Sequence, residues 1–567
     1  MTTDSRIIEQ ARSQRPPLTR RELTVGILAA VVIVLSPLGI GGALLWAVAA
    51  GVGFSLAALF AAVGSLPFQR FALILWFLGT VVGLGLATLS NFEVLSPQWL
   101  DFIAFPAAAF IGTALGLFLL GSDARSRPAV NCRRDLFRLV PFWAGLALFA
   151  YFAIQDINAW GEVVDRATFW ARQGIPGIEP GKYDIVPLPH VSWLPSGLRA
   201  PFTTTDTTHP TMNAWRMMLI LAGPWAIFCA LSVGLRRRRG YVLLGWLSIA
   251  AACCYAIGGF LNQYSSGTIL GFIIPDSALC FGPFIYHNHA GIYLYLNVAV
   301  ALALTLWHIR RSHHNALKGG PHLVSGFAAL YLTLFVGLTN SMGATAVVIA
   351  LSLVSIPAAY FIGFKDGRNN LKEAATVTLF ALLFAALAFL FTADLRSLGN
   401  KFEAKTAHYH RTGADDRAPL RRATWALITD DGWGGRAWSG YGAGSYRWVA
   451  PTYQAQQKDL QDDTGRFYLR ALYAHNDWLQ MLAEWGVLGL LPVVAGLLWL
   501  GRRIIRAFRP GHAESIPLAC AVVLLGCHAF IDLIFWFTPL MFALAFITAA
   551  MVSFVDQSTA ENSGKPE

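Results

Sequence analysis

The stretch from Ala474 to Leu500 carries the residues best suited to chemistry, and it reads AHNDWLQMLAEWGVLGLLPVVAGLLWL. It places His475, Asn476 and Asp477 at the start of an apolar segment, with Glu484 about two helical turns further in. Ionisable side chains inside an apolar helix are costly, so they usually mark a working site. A histidine at such a boundary can accept a proton near neutral pH, which predicts acid–base chemistry here.

The elements that must position these residues are apolar helices. Of the 567 residues, 55% are hydrophobic and only 13% are charged, which excludes an ordinary soluble domain. Apolar stretches of roughly 20 residues recur along the chain, each long enough to cross a bilayer as a helix. We therefore predict an all-α polytopic membrane protein with about 14 transmembrane helices and two long extracytoplasmic loops. The expected spans are 23–40, 42–63, 71–90, 102–121, 138–157, 214–234, 241–260, 289–309, 323–340, 343–363, 374–393, 478–500, 515–534 and 537–555.

The basic residues predict the orientation of these spans. They cluster in short segments that the span count places on one side, as is typical of the cytoplasm. The net charge of +11 is therefore a topology signal, and no soluble basic domain favours nucleic-acid binding. The predicted parts are a cytoplasmic tail (1–22), helices (23–157), an extracytoplasmic loop (158–213), helices (214–393), an extracytoplasmic catalytic loop (394–477), helices (478–555) and a cytoplasmic tail (556–567).

The predicted loop 394–477 is rich in arginine and in aromatic residues. Arginine forks match phosphate oxygens, and aromatic faces offer flat apolar platforms on which sugars can stack. This composition favours a ligand that is part phosphate and part glycan. The alternative is a solvated loop in which the arginines pair with Asp415, Asp416, Asp462 and Asp463.

The order and spacing of residues in this region resemble the O-antigen ligase and polymerase superfamily. The resemblance consists of Arg421 to Trp425, the run Gly442 to Ser445, and His475-Asn476 followed by Glu484, Gly486 and Gly489. A second similar segment, GPFIYHNHAGIYLYL, begins at Gly282. The resemblance covers about 280–500.

The resemblance implies a membrane-embedded, metal-independent glycosyltransferase of the GT-C type, with no cofactor. Its members transfer a glycan from undecaprenyl diphosphate to a hydroxyl acceptor on the periplasmic face of the bacterial inner membrane. The expected partners are that donor, a glycolipid or glycan acceptor and the lipid bilayer. An O-antigen ligase, with lipid A–core as acceptor, is the first expectation. A polymerase and a protein O-oligosaccharyltransferase are the alternatives, and the oligomeric state is not predicted.

The resemblance also assigns expected roles. His475 is the base or the residue that orients the acceptor, and Arg421 contacts the pyrophosphate. The structural alternative for His475 is a capping or interfacial histidine. Further substrate contacts are expected from Arg422, Arg411 and Arg447.

Three of the four other candidates also have structural alternatives. Asn288 and His289 are expected to contact the diphosphate or the acceptor, although Asn288 suits a helix cap equally well. Asn476 is a substrate contact or a cap. Glu484 positions an arginine or holds two helices together.

Two departures from the family pattern remove cationic groups that could serve the diphosphate, so either other arginines substitute for them or the donor is held differently. His287 stands where many members have arginine, and the run Asn340 to Gly343 lacks another arginine. A non-catalytic membrane partner would explain these losses, and a lipid-linked glycan flippase would share the span count. A flippase, however, should line its central cavity with charges, and the predicted spans hold few beyond Glu484 and Asp532.

Overall fold

Long apolar helices make up most of this computed structural model. It describes residues 18–38, 45–63, 127–165, 183–200, 213–264, 268–269, 272–273, 280–311, 320–363, 417–430, 435–461 and 471–562. Eight helices in these ranges are long and apolar enough to cross a membrane. The chain is thus a mostly helical, multi-pass membrane protein, as the hydropathy predicts.

The helices before the candidate site are α1 (Arg20–Leu35), α2 (Leu45–Val63), α3 (Arg127–Phe137), α4 (Val140–Ile157), α5 (Ala214–Gly234), α6 (Arg238–Tyr264), α7 (His287–Arg311), α8 (Pro321–Leu338) and α9 (Met342–Ala358). Those that follow are α10 (Ala418–Thr429), α11 (Gly435–Ser439), α12 (Tyr446–Gln454), α13 (Asp477–Ala507), α14 (Ile516–His528) and α15 (Thr538–Asn562). Short 3-10 or π turns lie at 36–38, 359–363, 458–460 and 513–515.

The expected count of about 14 spans is not confirmed. The expected spans 71–90, 102–121 and 374–393 lie outside the described residues. The expected span 515–534 is corrected, because α14 ends at His528 and the chain then turns irregularly until α15 begins. That irregular segment contains Asp532, whose carboxylate accepts hydrogen bonds from the Asn288 side chain in the first turn of α7 and from the amide of Leu533.

The all-α expectation also needs correction, because the predicted loop 158–213 contains a small sheet. Strands β1 (Gly161–Asp165) and β2 (Tyr183–Pro187) are antiparallel, and β3 (Leu198–Arg199) pairs in parallel with β1. In the register, Gly161 lies opposite both Pro187 and Leu198. Two further short strands, β4 (Thr268–Ile269) and β5 (Phe272–Ile273), form a hairpin.

Helix α7 lies at the centre of the bundle. Its side chains are buried along almost the whole length, and it packs against α6, α8, α9, α14 and α15. Helix α13 lies nearer the edge and packs on α4. We call the end of the bundle that holds Asn213, Asn288 and Asp477 the site end. The opposite end, where α5 and α13 lead into arginine clusters, is the basic end.

Candidate active site

The carboxylate of Asp532 is the centre of a polar cluster at the site end. Asn288 donates a hydrogen bond to its Oδ2 at 2.8 Å, and Arg417 Nη1 lies 3.6 Å from its Oδ1. His475 Nδ1 also lies 3.6 Å from Oδ1, and His528 Nε2 lies 4.0 Å from Oδ2. The cluster therefore joins residues from α7, the start of α10, the start of α13 and the end of α14.

This cluster keeps Asp532 ionised. Burial alone would raise the pKa of its carboxyl group, because only 2% of the residue is exposed. The His475 ring and the positive charge of Arg417 oppose burial, and together they hold that pKa well below its ordinary value. Burial, and secondly the negative charge of Asp532, raise the pKa of Tyr286 to about 12.

His475 lies in a strained turn just before α13. Its φ is +50°, a left-handed conformation that few residues other than glycine adopt. The next residue, Asn476, caps α13 by accepting a hydrogen bond from the Leu479 amide at 3.0 Å. Asn476 thus takes the structural role that was its alternative, and it fixes the direction in which the His475 side chain leaves the backbone.

The ring of His475 is oriented like that of a general base. Its Nδ1 is buried and lies 3.6 Å from Asp532 Oδ1, which is longer than a hydrogen bond. Catalytic hydrogen bonds are often this long before substrate binds. Its Nε2 forms no hydrogen bond with the described residues, and 27% of the side chain is exposed. A carboxylate that binds one ring nitrogen leaves the other available to accept a proton.

Asp477 anchors the irregular segment that carries Asp532. Its Oδ2 accepts hydrogen bonds from the amides of Ile534 and Phe535, at 2.7 and 2.9 Å. Its own amide donates to the carbonyl of Ala529. This fully buried side chain therefore fixes the position of Asp532 relative to His475.

Asn288 and His289 both face this segment. Asn288 lies in the first turn of α7 and does not cap it, and its amide also donates to the Tyr286 hydroxyl at 2.6 Å. His289 is buried, and its Nε2 lies 2.9 Å from the carbonyl oxygen of Leu533. Asn288 contacts the central carboxylate directly, whereas His289 holds the backbone beside it.

The predicted arginines occupy different places. Arg421 lies on α10 one turn after Arg417, so both start on the same face of that helix. Arg422 is exposed and pairs with Asp459, which is not one of the four acids that the solvated-loop alternative names. Arg411 lies outside the described residues. Arg447 is buried, with its guanidinium 5.9 Å from the Tyr473 ring centre, and its charge acts on Glu484.

Glu484 binds backbone rather than facing the central cluster. Its Oε2 accepts a hydrogen bond from the Gly444 amide at 2.8 Å, and its Oε1 accepts one from Tyr446 at 3.1 Å. Gln480 donates to Oε1 at 3.1 Å and accepts from the amide of Ala474, the residue before His475. Glu484 therefore ties the glycine turn 440–446 to the helix that carries the histidine.

The glycine turn is a packing junction. Gly442 and Gly444 have φ of +111° and +76°, and a Cβ atom at Gly444 would lie 2.7 Å from the Asn213 amide nitrogen. Gln155 accepts from the Ala443 amide, so the turn is satisfied from inside the protein. Backbone atoms of residues 197–198 and 213 lie close to Gly442 and Gly444, in the space that a phosphate group would need. This packing argues against phosphate binding by the glycine turn.

The sequence hypotheses missed Arg417, Tyr286 and His528 as members of the site. Asp532 had a usable signal, since it is an acid within an otherwise apolar stretch. Arg417 had none, because it is one of many arginines in its segment. The described residues include no group of three or more histidine, cysteine, aspartate or glutamate side chains that could hold a metal ion.

The fold and cluster define a multi-pass membrane protein with a buried aspartate–histidine pair beside arginine. Residues 327–494 of this protein match the family model described as O-Antigen ligase, which confirms the predicted resemblance over that segment. The match covers less than a third of the chain; it includes His475 and Arg417 but not Asn288 or Asp532. No curated protein matches the sequence.

Proposed function

We propose that the protein transfers a glycan from undecaprenyl diphosphate to a hydroxyl acceptor, as an O-antigen ligase with lipid A–core as acceptor. The observation that carries the proposal is the pairing of His475 Nδ1 with buried Asp532, beside Arg417. The family match supports the ligase type. The active site faces the periplasm of the inner membrane in this proposal.

His475 acts as the general base. Its Nε2 takes the proton from the acceptor hydroxyl while that oxygen attacks the anomeric carbon of the donor sugar. Ionised Asp532 stabilises the imidazolium that forms and holds its orientation. Asn288 keeps the carboxylate in place by binding its other oxygen.

The bond from the anomeric carbon to the phosphate oxygen breaks, and undecaprenyl diphosphate leaves with the bonding electrons. In our proposal Arg417 and Arg421, which lies one turn further along α10, neutralise the charge that develops on the leaving group. These cations supply the stabilisation without a metal ion in our proposal. Arg417 supplies part of the positive charge that many family members have as arginines at the positions of His287 and 340–343.

The distribution of charge favours an enzyme over a flippase. The buried carboxylates of the described residues lie towards the two ends of the bundle: Asp477, Glu484 and Asp532 towards the site end, and Glu22 and Glu514 at the basic end. Alternating access would instead place them in a central cavity.

The test is transfer in vitro with purified protein, an undecaprenyl-diphosphate glycan and EDTA. Lipid A–core, free repeat units and a serine-containing peptide are offered separately, because the productive acceptor distinguishes ligase, polymerase and protein transferase. We expect transfer to lipid A–core, and we expect His475→Ala and Asp532→Asn each to lower kcat by about a hundredfold or more. Arg422→Gln is the matched control, because its partner is Asp459 rather than the cluster.

Three outcomes would contradict the proposal. Undiminished transfer by His475→Ala removes the base from the mechanism. Loss of transfer in EDTA removes the metal-independent reaction. No transfer by folded wild-type protein to any of the three acceptors argues for a non-catalytic or transport role.

A further inference from the structure

A cavity of about 290 Å³ lies between α4, α5, α13 and α15, away from the candidate active site. Its walls are almost wholly apolar, with Thr548 as the one hydroxyl-bearing residue among those that line it. It is about twice the volume of an engineered apolar cavity that stays dry and binds benzene. Hydrocarbon is therefore the chemistry that fits it.

Proline and glycine open this cavity. Pro224 lies inside α5 and Pro492 inside α13, and both line the space. An interior proline lacks the amide that would complete the helical ladder and is a common cause of helix bending. Gly496 also lines the cavity, and a Cβ atom added there would meet no other atom within 4 Å. Leu497, at the edge, is 43% exposed, so the space communicates with the surface that faces the bilayer.

The position of the cavity points to the basic end. Along α13 its walls run from Pro492 to Leu500, about 22 to 35 Å from Asp477 at 1.5 Å per residue. Along α4 they begin at Pro141, at the opposite end of that helix from Gln155 and the glycine turn. On α5 and α15 the lining residues lie within 221–228 and 541–548, so the cavity extends from the middle of the bundle to Pro141 and Leu500 on the side of the basic end. An acyl chain that enters between Pro141 and Leu500 belongs to a lipid whose headgroup lies at the basic end.

Arginines surround that end of the cavity. Arg502 follows Leu500 by two residues, and Arg138 precedes Pro141 by three; both are exposed. Neither guanidinium forms an ion pair with a described carboxylate, whereas neighbouring Arg503 and Arg236 are paired with Asp556 and Asp135. Exposed arginines beside an apolar chain site match an anionic headgroup.

We propose that this cavity binds one acyl chain of an anionic phospholipid, with Arg138 and Arg502 at its headgroup. The site is separate from the glycosyl-transfer site, and it does not depend on that function. Its walls are formed by α4, α5, α13 and α15.

The test uses phosphatidylglycerol that carries a photoactivatable group near the end of one acyl chain. The protein is reconstituted in nanodiscs, irradiated and analysed by peptide mapping. We expect wild-type crosslinks in 141–149 and 492–500. Gly496→Leu should fill the space and lose most of this labelling, since nothing obstructs the new side chain.

The control is Gly501→Leu on the same helix, where an added Cβ atom also meets nothing within 4 Å but the residue does not line the cavity. It should label like wild type. Arg502→Gln should lower the preference for phosphatidylglycerol over phosphatidylcholine by about fivefold, the effect of one charge near an anionic surface.

Equal labelling of Gly496→Leu and wild type, at unchanged thermal stability, would overturn the cavity assignment. Labelling confined to lipid-facing Leu498 would do the same. Equal labelling by the two phospholipids would overturn the anionic headgroup. Displacement of the probe by an isoprenoid diphosphate but not by phosphatidylglycerol would assign the cavity to the donor's tail instead.

Discussion

At the residue scale, one buried carboxylate organises the site. Asp532 accepts a hydrogen bond from Asn288 at Oδ2, and its Oδ1 lies 3.6 Å from both Arg417 Nη1 and His475 Nδ1. A buried charge is tolerated only when partners compensate for its lost hydration, so the cluster and the ionised state of Asp532 depend on each other. The positive φ of His475 is the local strain that this arrangement sustains.

The lowered pKa of Asp532 predicts how stability depends on pH. A carboxyl group whose pKa is lower in the folded state than in the unfolded state stabilises the fold above its unfolded pKa, about 4. This stabilisation is lost as the pH falls from the pKa of the unfolded state towards the lower pKa of the folded state. We therefore expect the melting temperature of the wild type to exceed that of Asp532→Asn at pH 7. This difference should stay constant down to about pH 5 and shrink below about pH 4.

Thermal unfolding in detergent between pH 3 and pH 7 measures this margin. Asp459→Asn is the control, because its pair with Arg422 is exposed and should contribute little at any pH. A margin that grows on acidification would mean that Asp532 is protonated in the folded protein.

At the element scale, the turn 440–446 locks several segments together. Tyr441 and Gly442 donate backbone hydrogen bonds to the carbonyls of Ala483 and Glu484, and the Glu484 side chain returns to Gly444. Gly486 breaks the helical conformation of α13 with a φ of +65°, which lets the turn approach. Through Gln480 the same contacts reach Ala474, the residue before His475, so this junction positions the His475 backbone.

Replacing Gly444 by alanine should disrupt that junction. The backbone there is left-handed, and the new methyl group would lie 2.7 Å from the Asn213 nitrogen. We expect a loss of about 2 kcal/mol or more in the free energy of unfolding, together with lower transfer activity.

The control is Gly258→Ala in α6, where nothing lies within 4 Å and helix propensity should add about 0.5–1 kcal/mol. Denaturation curves of the two variants test the contrast. An unchanged stability of Gly444→Ala would show that the turn can move without cost.

At the scale of the whole molecule, a second buried carboxylate ties the basic end. Glu514 is 1% exposed, and its oxygens lie 3.2 Å from Arg310 Nη1 and 3.8 Å from Arg238 Nη1. These arginines belong to α7 and α6, so Glu514 joins the central helix and its neighbour to the segment before α14. Buried carboxylates therefore connect helices at both ends of the bundle, Asp532 at the site end and Glu514 at the basic end.

Glu514→Gln should separate stability from catalysis. Loss of one partner from a buried charge cluster costs about 3–5 kcal/mol, because the remaining charges stay buried. The melting temperature should therefore fall. The kcat of the folded fraction should stay near the wild-type value, because Glu514 lies at the opposite end of the bundle from His475.

Asp135→Asn is the matched control, because its pair with Arg236 is exposed and should contribute less than about 1 kcal/mol. A fall in kcat of folded Glu514→Gln would show that the two ends of the bundle are coupled.

The amino-acid sequence by itself determined the helical membrane class, the family module, and the position of His475 before a capped helix. Each depends on local pattern: the length of an apolar run, the spacing of a motif, or an asparagine at a helix start. Only the tertiary structure decided that Asp532, Asn288 and Arg417 meet His475. Asn288 and Asp532 are 244 positions apart, and hydrophobic periodicity does not record which helices become neighbours. The same limit hid the sheet in 158–213 and the backbone role of Glu484, because both depend on contacts between distant segments.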